Sequence, residues 1–579
     1  MNNLIDGSWE LRRRTHLAYI GTIGGVGMAL IALLLLHGIP SGSVYNPTGV
    51  TLFSMIFGSL VMLYPFVRNV LYDKDLLDPA VVVGGLLFAY FPLRGFSIGV
   101  MGLPSPFPSF IAATDKLLAP FTAGLIIISI GSIAYYAGHR LSFRGPRTPI
   151  WPSVSRRTVL LPNLLAIWAL SIAVHFLLTV EVITSGNAIL YHVTSWHYLA
   201  VLVLLAYNFS SGRDHISWIV VGAILFVEVA LVTVIEFSLN SLLMLLTFST
   251  LAYHYLGPGV TVKKISMLSG GIIVLFPIST IAERVQAGDS LLEAIAQGTL
   301  GSYWGLERFF NRMIGTDALT MIVARTPEVV QFQGGETLLF AIYGLIPRAI
   351  WSGKPSIIMC GVNNQYFSGR GADANTCAAM TVPGELYWNF GTAGIIVGLF
   401  AIGLLLGLVY RWFMNGTGGP KNCALIVIYS LVLLQIMRFE SGFGQLVSNL
   451  IKGVGFAAIF LWFVTEPRDK RGFRLTEDSA FERSRLFQVS RSIVNTVSPN
   501  SSIVVAWSMI GCQWIKNIPR KIASTAKSSP TPLVLRTFVQ PLSNVWFEPQ
   551  AKLHNAWDTS RIQSFLQGSM MYRLVKKLH

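Results

Sequence analysis

A chain of 579 residues that is 53% hydrophobic and only 12% charged departs from the ~25% charged typical of soluble domains, and its mean hydropathy of +0.58 excludes a soluble protein with one anchor. The net charge of +16 is uneven: from Glu466 onward 17 Lys and Arg face 7 Asp and Glu, so +10 sits in the last fifth. With no helix-turn-helix or zinc-finger spacing, that basic tail fits the anionic cytoplasmic leaflet, and no nucleic-acid partner is expected. The four cysteines (Cys360, Cys377, Cys423, Cys512) show no CxxC or metal-ligand spacing, and no metal or cofactor is expected.

In chain order, Arg12, Arg13 and Arg14 precede an apolar run from Leu17 to His37, too long for a signal-peptide core and followed by no A-x-A site. It reads as an uncleaved first span with a cytoplasmic N-terminus. Further spans of roughly 20 residues are predicted at 50–71, 79–101, 117–138, 159–181, 194–210, 216–235, 238–257 and 265–281, then at 386–410, 423–440 and 445–464. The stretch 216–257 reads either as two full helices or as a hairpin that does not cross. The glycines of GTIGGVG at 21–27 read as span packing, since no strand precedes them to make a phosphate loop. The fold class is therefore all-α: a polytopic integral membrane protein of about twelve transmembrane helices with a large outer loop.

Alternate loops carry the basic residues: Arg68 and Lys74, then Arg140, Arg144, Arg147, Arg156 and Arg157, then Arg213, Lys263 and Lys264, and finally Arg411 and Lys421. The short loops between them hold only Lys116, so the positive-inside bias puts both termini in the cytoplasm. Residues 1–464 form the membrane domain, 282–385 its outer segment, and 465–579 a cytoplasmic tail whose SSIVVAWSMIGCQWI patch at 501–515 lies in the interface. Asp73-Lys74-Asp75 has the D-x-D spacing of metal-dependent glycosyltransferases but sits in a very short inner loop.

The outer segment changes character. Prolines 347, 355 and 383 interrupt it, and Arg284, Arg308, Arg312, Arg325, Arg348, Lys354 and Arg370 place seven cations on a translocated face. Irregular backbone survives at a membrane only where protein or water covers it, so this stretch reads as the floor of a water-facing cavity. Arginine offers a planar fork to phosphate oxygens and lysine a point charge; a polyprenyl diphosphate would suit Arg348 and Lys354 beside Trp351, and ion pairs with Glu328, Glu336 and Asp373 are the alternative. Glu385, in PGELYWNFG, reads as a base or as a helix-start carboxylate held by the dipole. Glu283, Glu307 and Asp317 are further candidate bases, each near an arginine. Tyr303, Trp304, Tyr366, Tyr387 and Trp388 could stack on sugars or mark an interface. Cys360 and Cys377, seventeen residues apart on an oxidising face, are expected to pair as a disulfide.

Within the spans, Glu228 reads as a proton-coupling carboxylate or a structurally paired one, His175 stands out beside it, and Arg94 and Arg438 are expected to snorkel from outer ends.

The run GLIPRAIWSGKP, followed by PGELYWNFGTAGIIVGLF, resembles the bacterial O-antigen and exopolysaccharide repeat-unit polymerases, over roughly 280–410 of this chain. Arg348, Trp351, Lys354, Glu385, Asn389 and Gly391 match the family's pattern, whereas the R-x10-G arginine motif of some branches is not found. The resemblance implies a metal-independent glycosyltransferase whose donor is a polyprenyl-diphosphate-linked oligosaccharide, with membrane lipids, a chain-length regulator and a flippase as partners. On this resemblance Arg348 and Glu385 are catalytic, and Lys354, Trp351, Arg370, Arg325, Arg308, Arg284, Tyr387 and Asn389 bind substrate. An O-antigen ligase and a flippase of the same lipid-linked glycan are the rival readings.

Overall fold

The structure is a computed structural model that describes residues 2–37, 43–144, 157–179, 193–211, 215–231, 239–267, 309–346, 359–369, 380–416 and 418–467, with a few single positions between them. All the described residues fall in one compact unit, formed by Met1–Thr179 and Thr184–Ser490. A second unit, Val180–Ile183 with Arg491–His579, lies outside the described residues, as do the interfacial patch at 501–515 and the span expected at 265–281 beyond Met267.

The unit is built from helices: α1 (Asn2–His37), α2 (Gly49–Leu71), α3 (Pro79–Gly99), α4 (Leu118–Ser142), α5 (Leu161–Thr179), α6 (Trp196–Ser211), α7 (His215–Ala230), α8 (Leu239–Leu256), α9 (Gly315–Arg325), α10 (Val382–Asn415), α11 (Cys423–Met437) and α12 (Phe443–Val464). Among the described residues seven are long and apolar enough to cross a membrane, namely most of α1, then α2, α3, α4, most of α5, α10 and α12; α6, α7 and α11 are shorter apolar helices. The stretch 216–257 is resolved into two separate helices, α7 and α8. Two short strands, β1 (Arg157–Val159) and β2 (Thr465–Pro467), pair antiparallel with Thr158 opposite Glu466.

Local chemistry sets the helix boundaries. Asp78 caps α3 by accepting from Ala80 N at 2.8 Å, with Pro79 at the first helical position. Pro92 lacks an amide hydrogen, and α3 passes it through a wide π turn at Ala89–Leu93. Asn422 caps α11 and Thr381 caps α10. In α10 the helix breaks at Gly391, whose φ of 64° and ψ of −150° suit glycine alone. The carbonyls freed at that break are not orphaned: Trp388 O accepts from Gln333 N at 3.1 Å and Asn389 O from Gly334 N at 3.2 Å.

The tightest helix pair is α4 with α10. Gly131 and Gly138 of α4 face Ile395 and the Phe400 carbonyl, and Gly403 and Gly407 of α10 face the Tyr135 carbonyl and Ser142. Small residues let two backbones approach where water cannot drive association. The GTIGGVG stretch behaves differently from its expected packing role: Gly27 meets Phe57, but Gly21, Gly24 and Gly25 face open space.

The bundle has two distinct ends. One carries Arg68, Lys74, Arg140, Arg144 and the helix ends at His254 and Tyr410; the other gathers Arg94, Asp317, Thr337, Glu385 and Glu440. The expected outer segment is not irregular throughout. It contains α9, whose residues Gly315–Ile322 are buried against α3 and α4.

Candidate functional site

At the end of the bundle opposite the basic one, a hub forms around Glu385. Its side chain is fully buried; Thr337 Oγ1 donates to one carboxylate oxygen at 2.8 Å, and the backbone amides of Phe443 and Gly444 donate to the group as well. Those amides open α12, where helical geometry leaves them without intrahelical partners. Glu385 of α10 thus caps α12 from a neighbouring helix. Asn389, one turn later, donates to Thr337 Oγ1 at 2.6 Å and to Glu385 O at 2.8 Å, while its side-chain oxygen accepts from Gly335 N at 2.9 Å. Thr381, just ahead, holds the unusual φ of 65° for a β-branched residue and donates its amide to Glu440 O at 2.8 Å. Glu385, expected as a base or as a helix-start carboxylate, does lie in the first turn of α10, and its side chain also caps the start of α12.

Beside the hub, Arg94 is not snorkelling. It is fully buried and forks onto Asp317 of α9, Nε to Oδ2 at 2.8 Å and Nη2 to Oδ1 at 3.0 Å, with Nη2 also donating to Pro104 O at 3.1 Å. A long side chain reaches the surface only where its element leaves a path, and α9 closes this one. Arg438, part-buried, contacts Met244 Sδ at 3.6 Å. Glu440 lies between α11 and α12, where burial pushes its carboxyl up and Arg312, Tyr90 and Arg438 pull it only partly back.

From the hub, residues 336–346 run down the side of α12. Thr337 and Phe340 lie against Gly444, Gly344 lies against Ser448, and the Lys354 ammonium is near enough to Lys452 for the two charges to repel. Gly444 to Lys452 is about 12 Å of helix, so this chain, a 3-10 turn at Glu336–Leu339 followed by a helical turn at Phe340–Tyr343, travels along α12 rather than across its end. Lys354 Nζ donates to Ile346 O at 2.8 Å, and Trp351 sits edge-on to Tyr343 with ring centroids 5.4 Å apart. Ser448 Oγ, buried in the same seam, has no hydrogen-bond partner among the described residues.

The expected substrate groups thus separate. Glu385 and Asn389 share the hub; Lys354 and Trp351 lie just beyond the descending segment; Tyr387 is half-buried near Phe332 at 6.4 Å. Arg325 turns elsewhere, donating to Tyr366 O at 2.6 Å. Arg284, Arg308, Arg348, Arg370 and Cys377 lie outside the described residues, as does the side chain of Cys360, and with them the expected disulfide. Lys452 escaped the sequence reading because it sits inside an apolar span, where its partner Lys354 is some hundred residues away.

Two further polar clusters lie elsewhere in the bundle. Glu228 of α7 is fully buried, accepting from Trp168 Nε1 at 2.8 Å and pairing with His197 Nδ1 at 2.7 Å, and His175 stands edge-on to His197 at 5.1 Å. His197 was missed in the sequence because nothing marks a histidine beside a span start as a carboxylate's partner. At the basic end, Asp75 accepts from His254 Nε2 at 2.8 Å, Tyr255 OH at 2.8 Å and Tyr410 OH at 2.6 Å. Val260 N donates to His254 Nδ1 at 3.1 Å, which leaves the imidazole proton on Nε2. Burial raises the Asp75 carboxyl, and these bonds outweigh it and hold it below its usual range. The D-x-D aspartate is thereby committed to three side chains on two helices, α8 and α10, and among the described residues no group of His, Cys, Asp and Glu is arranged for a metal.

No curated protein and no solved structure matches the chain. Residues 154–466 match a family described as a domain of unknown function, DUF8712, and that segment runs from just before β1 to the middle of β2, so the ribbon ties its two ends together. Because the match spans more than half of the sequence, the chain belongs to the DUF8712 family.

Proposed function

We propose that this protein is a bacterial inner-membrane glycan polymerase that joins polyprenyl-diphosphate-linked oligosaccharide repeat units on the outer face. The reading takes the basic end as cytoplasmic, about twelve spans in all, and the Glu385 end as outer. The observation that carries it is the course of 336–346 along α12, with Lys354 within electrostatic range of Lys452 and Trp351 edge-on to Tyr343. Two ammonium groups at that depth favour an anion there, and a diphosphate whose lipid tail stays in the bilayer meets both demands. In the reaction a sugar hydroxyl of one unit attacks the anomeric carbon of the glycan on another carrier. The diphosphate leaves with the bonding pair, Lys354, Lys452 and Arg348 stabilise its charge, and the hydroxyl proton passes to the departing phosphate or to water. Glu385 is given a positioning role: it fixes Thr337, and so the top of the descending segment, onto α12.

The buried Glu228–His197 pair favours one second reading, a coupled transporter of the same lipid-linked glycan. Surface-polysaccharide profiling of a deletion strain separates these. Single-repeat material on the surface supports polymerisation, missing transfer to the lipid A core indicates a ligase, and lipid-linked units retained inside indicate a flippase. Within the polymerase reading, Lys354→Ala and Lys452→Ala each shorten the polymer while the protein inserts normally. Wild-type chain length in both would exclude the diphosphate site.

A further inference from the structure

At the basic end a groove of about 580 Å³ opens between α1, α2 and α4. Ile20 and Ile23 of α1 form one wall, Val61 of α2 the floor, and Ile133 and Ala137 of α4 the other wall. Arg140 and Arg144 stand at its mouth. From Ile133 to Arg140 is about 10 Å along the helix, so the groove is apolar at its deep end and cationic where α4 finishes.

Among the described residues the charge at that mouth is not balanced. Arg68 spends its guanidinium on a neutral oxygen, Asn69 Oδ1, at 2.8 and 3.0 Å. Lys74 lies 5.9 Å from the Tyr72 ring; burial lowers its ammonium's pKa, and repulsion from Arg68 and Arg140 lowers it further, offset in part by Asp78. Arg140 reaches only Tyr64 OH, at 3.4 Å. The nearby carboxylates are engaged: Asp73 pairs with Arg12, Asp75 holds His254 and two tyrosines, and Asp78 holds His139 at 3.0 Å. Four cations therefore converge on one mouth whose neighbouring acids are taken.

We infer that this groove binds one anionic phospholipid of the cytoplasmic leaflet, with an acyl chain between α1 and α4 and its phosphate at Arg140 and Arg144. Basic pockets between spans on the cytoplasmic side are suited to such headgroups. The lipid also has a structural task. Only 6% of the apolar window of α1 is buried; its contacts with α2 include His16 and Tyr19 on Tyr64 and Gly27 on Phe57, and Arg12 pairs with Asp73 just beyond α2. An acyl chain in the seam joins α1 to α4 as well.

Native mass spectrometry of the purified full-length protein, released from nanodiscs of phosphatidylglycerol and phosphatidylcholine in equal amounts, tests this. Wild type is expected to retain one phosphatidylglycerol over phosphatidylcholine by about tenfold. Arg140→Gln with Arg144→Gln is expected to abolish the preference, and Arg140→Lys with Arg144→Lys to keep it. Ala137→Trp, which fills the groove and leaves every charge in place, is expected to lose the bound lipid. Equal retention of both lipids by wild type would overturn the inference. So would wild-type retention in the glutamine pair or in Ala137→Trp.

Discussion

Single residues in this molecule carry structural demands that their neighbours in sequence do not reveal. Gly391 breaks α10 at a φ of 64° and ψ of −150°, and the ring of Phe332 lies 3.5 Å from where a Cβ would stand, so space is not the obstacle. The obstacle is backbone strain, and Gly391→Ala is expected to cost about 1–3 kcal/mol, read as a lower melting temperature of the solubilised protein. An unchanged melting temperature would mean that α10 runs straight through. Glu385→Gln tests the hub. An amide at that position sets its own hydrogens against the amides of Phe443 and Gly444, and the expected loss is about 1–3 kcal/mol; on the proposed polymerase reading, the amount of polymer falls in proportion to the folded protein. Loss of polymer with an undisturbed melting temperature would instead make Glu385 a chemical participant.

Between elements, close backbone approach and buried charge decide how the helices fit. The seam of α4 and α10 depends on Gly138 and Gly403, each facing a main-chain carbonyl of the other helix. Gly403→Leu is expected to destabilise by about 1–3 kcal/mol or more through overpacking. Gly21→Leu, on the open face of α1, should stay within about 0.5 kcal/mol of wild type. Thermal melting of the two variants side by side checks the contrast, and equal effects would dissolve the seam as a special contact. In the turn between α11 and α12, the Glu440 carboxyl is raised in the folded state, so the folded protein binds more protons than the unfolded one over the interval between the two values. Stability is then highest below the ordinary glutamate range and falls as pH rises through the folded value. Glu440→Gln is expected to flatten that fall in a melting series run from about pH 4 upward; an unchanged slope would assign it to another group.

Over the whole molecule, the family segment 154–466 does not close on itself. Asp317 within it is neutralised by Arg94 outside it, Asp75 outside it binds His254, Tyr255 and Tyr410 inside it, and α10 lacks its tightest partner without α4. A buried charge stripped of its partner costs about 3–5 kcal/mol, so residues 154–467 expressed alone are expected to aggregate on size exclusion, and co-expression of 1–153 to restore a monodisperse species. A monodisperse isolated segment would show that it folds independently. Composition alone pointed to the broad class, long apolar helices, because so few charges and such long apolar runs suit segments that satisfy their own backbone hydrogen bonds. Length and hydropathy also placed α2, α3, α4, α10 and α12 closely, since each is a local property of about twenty residues. The segment 282–385 stands out through its prolines and cations, and Glu385 at its end forms a hub with Asn389 just beyond it. What those residues touch was not legible. Arg94 and Asp317 are 223 positions apart, Glu385 meets an amide 58 positions on, and Lys452 hides in a span until Lys354 is laid beside it. No periodicity encodes such pairs. They exist because burying a charge or an open helix end demands a partner in space, and only the packing of α9, α10 and α12 decided which residues would supply it.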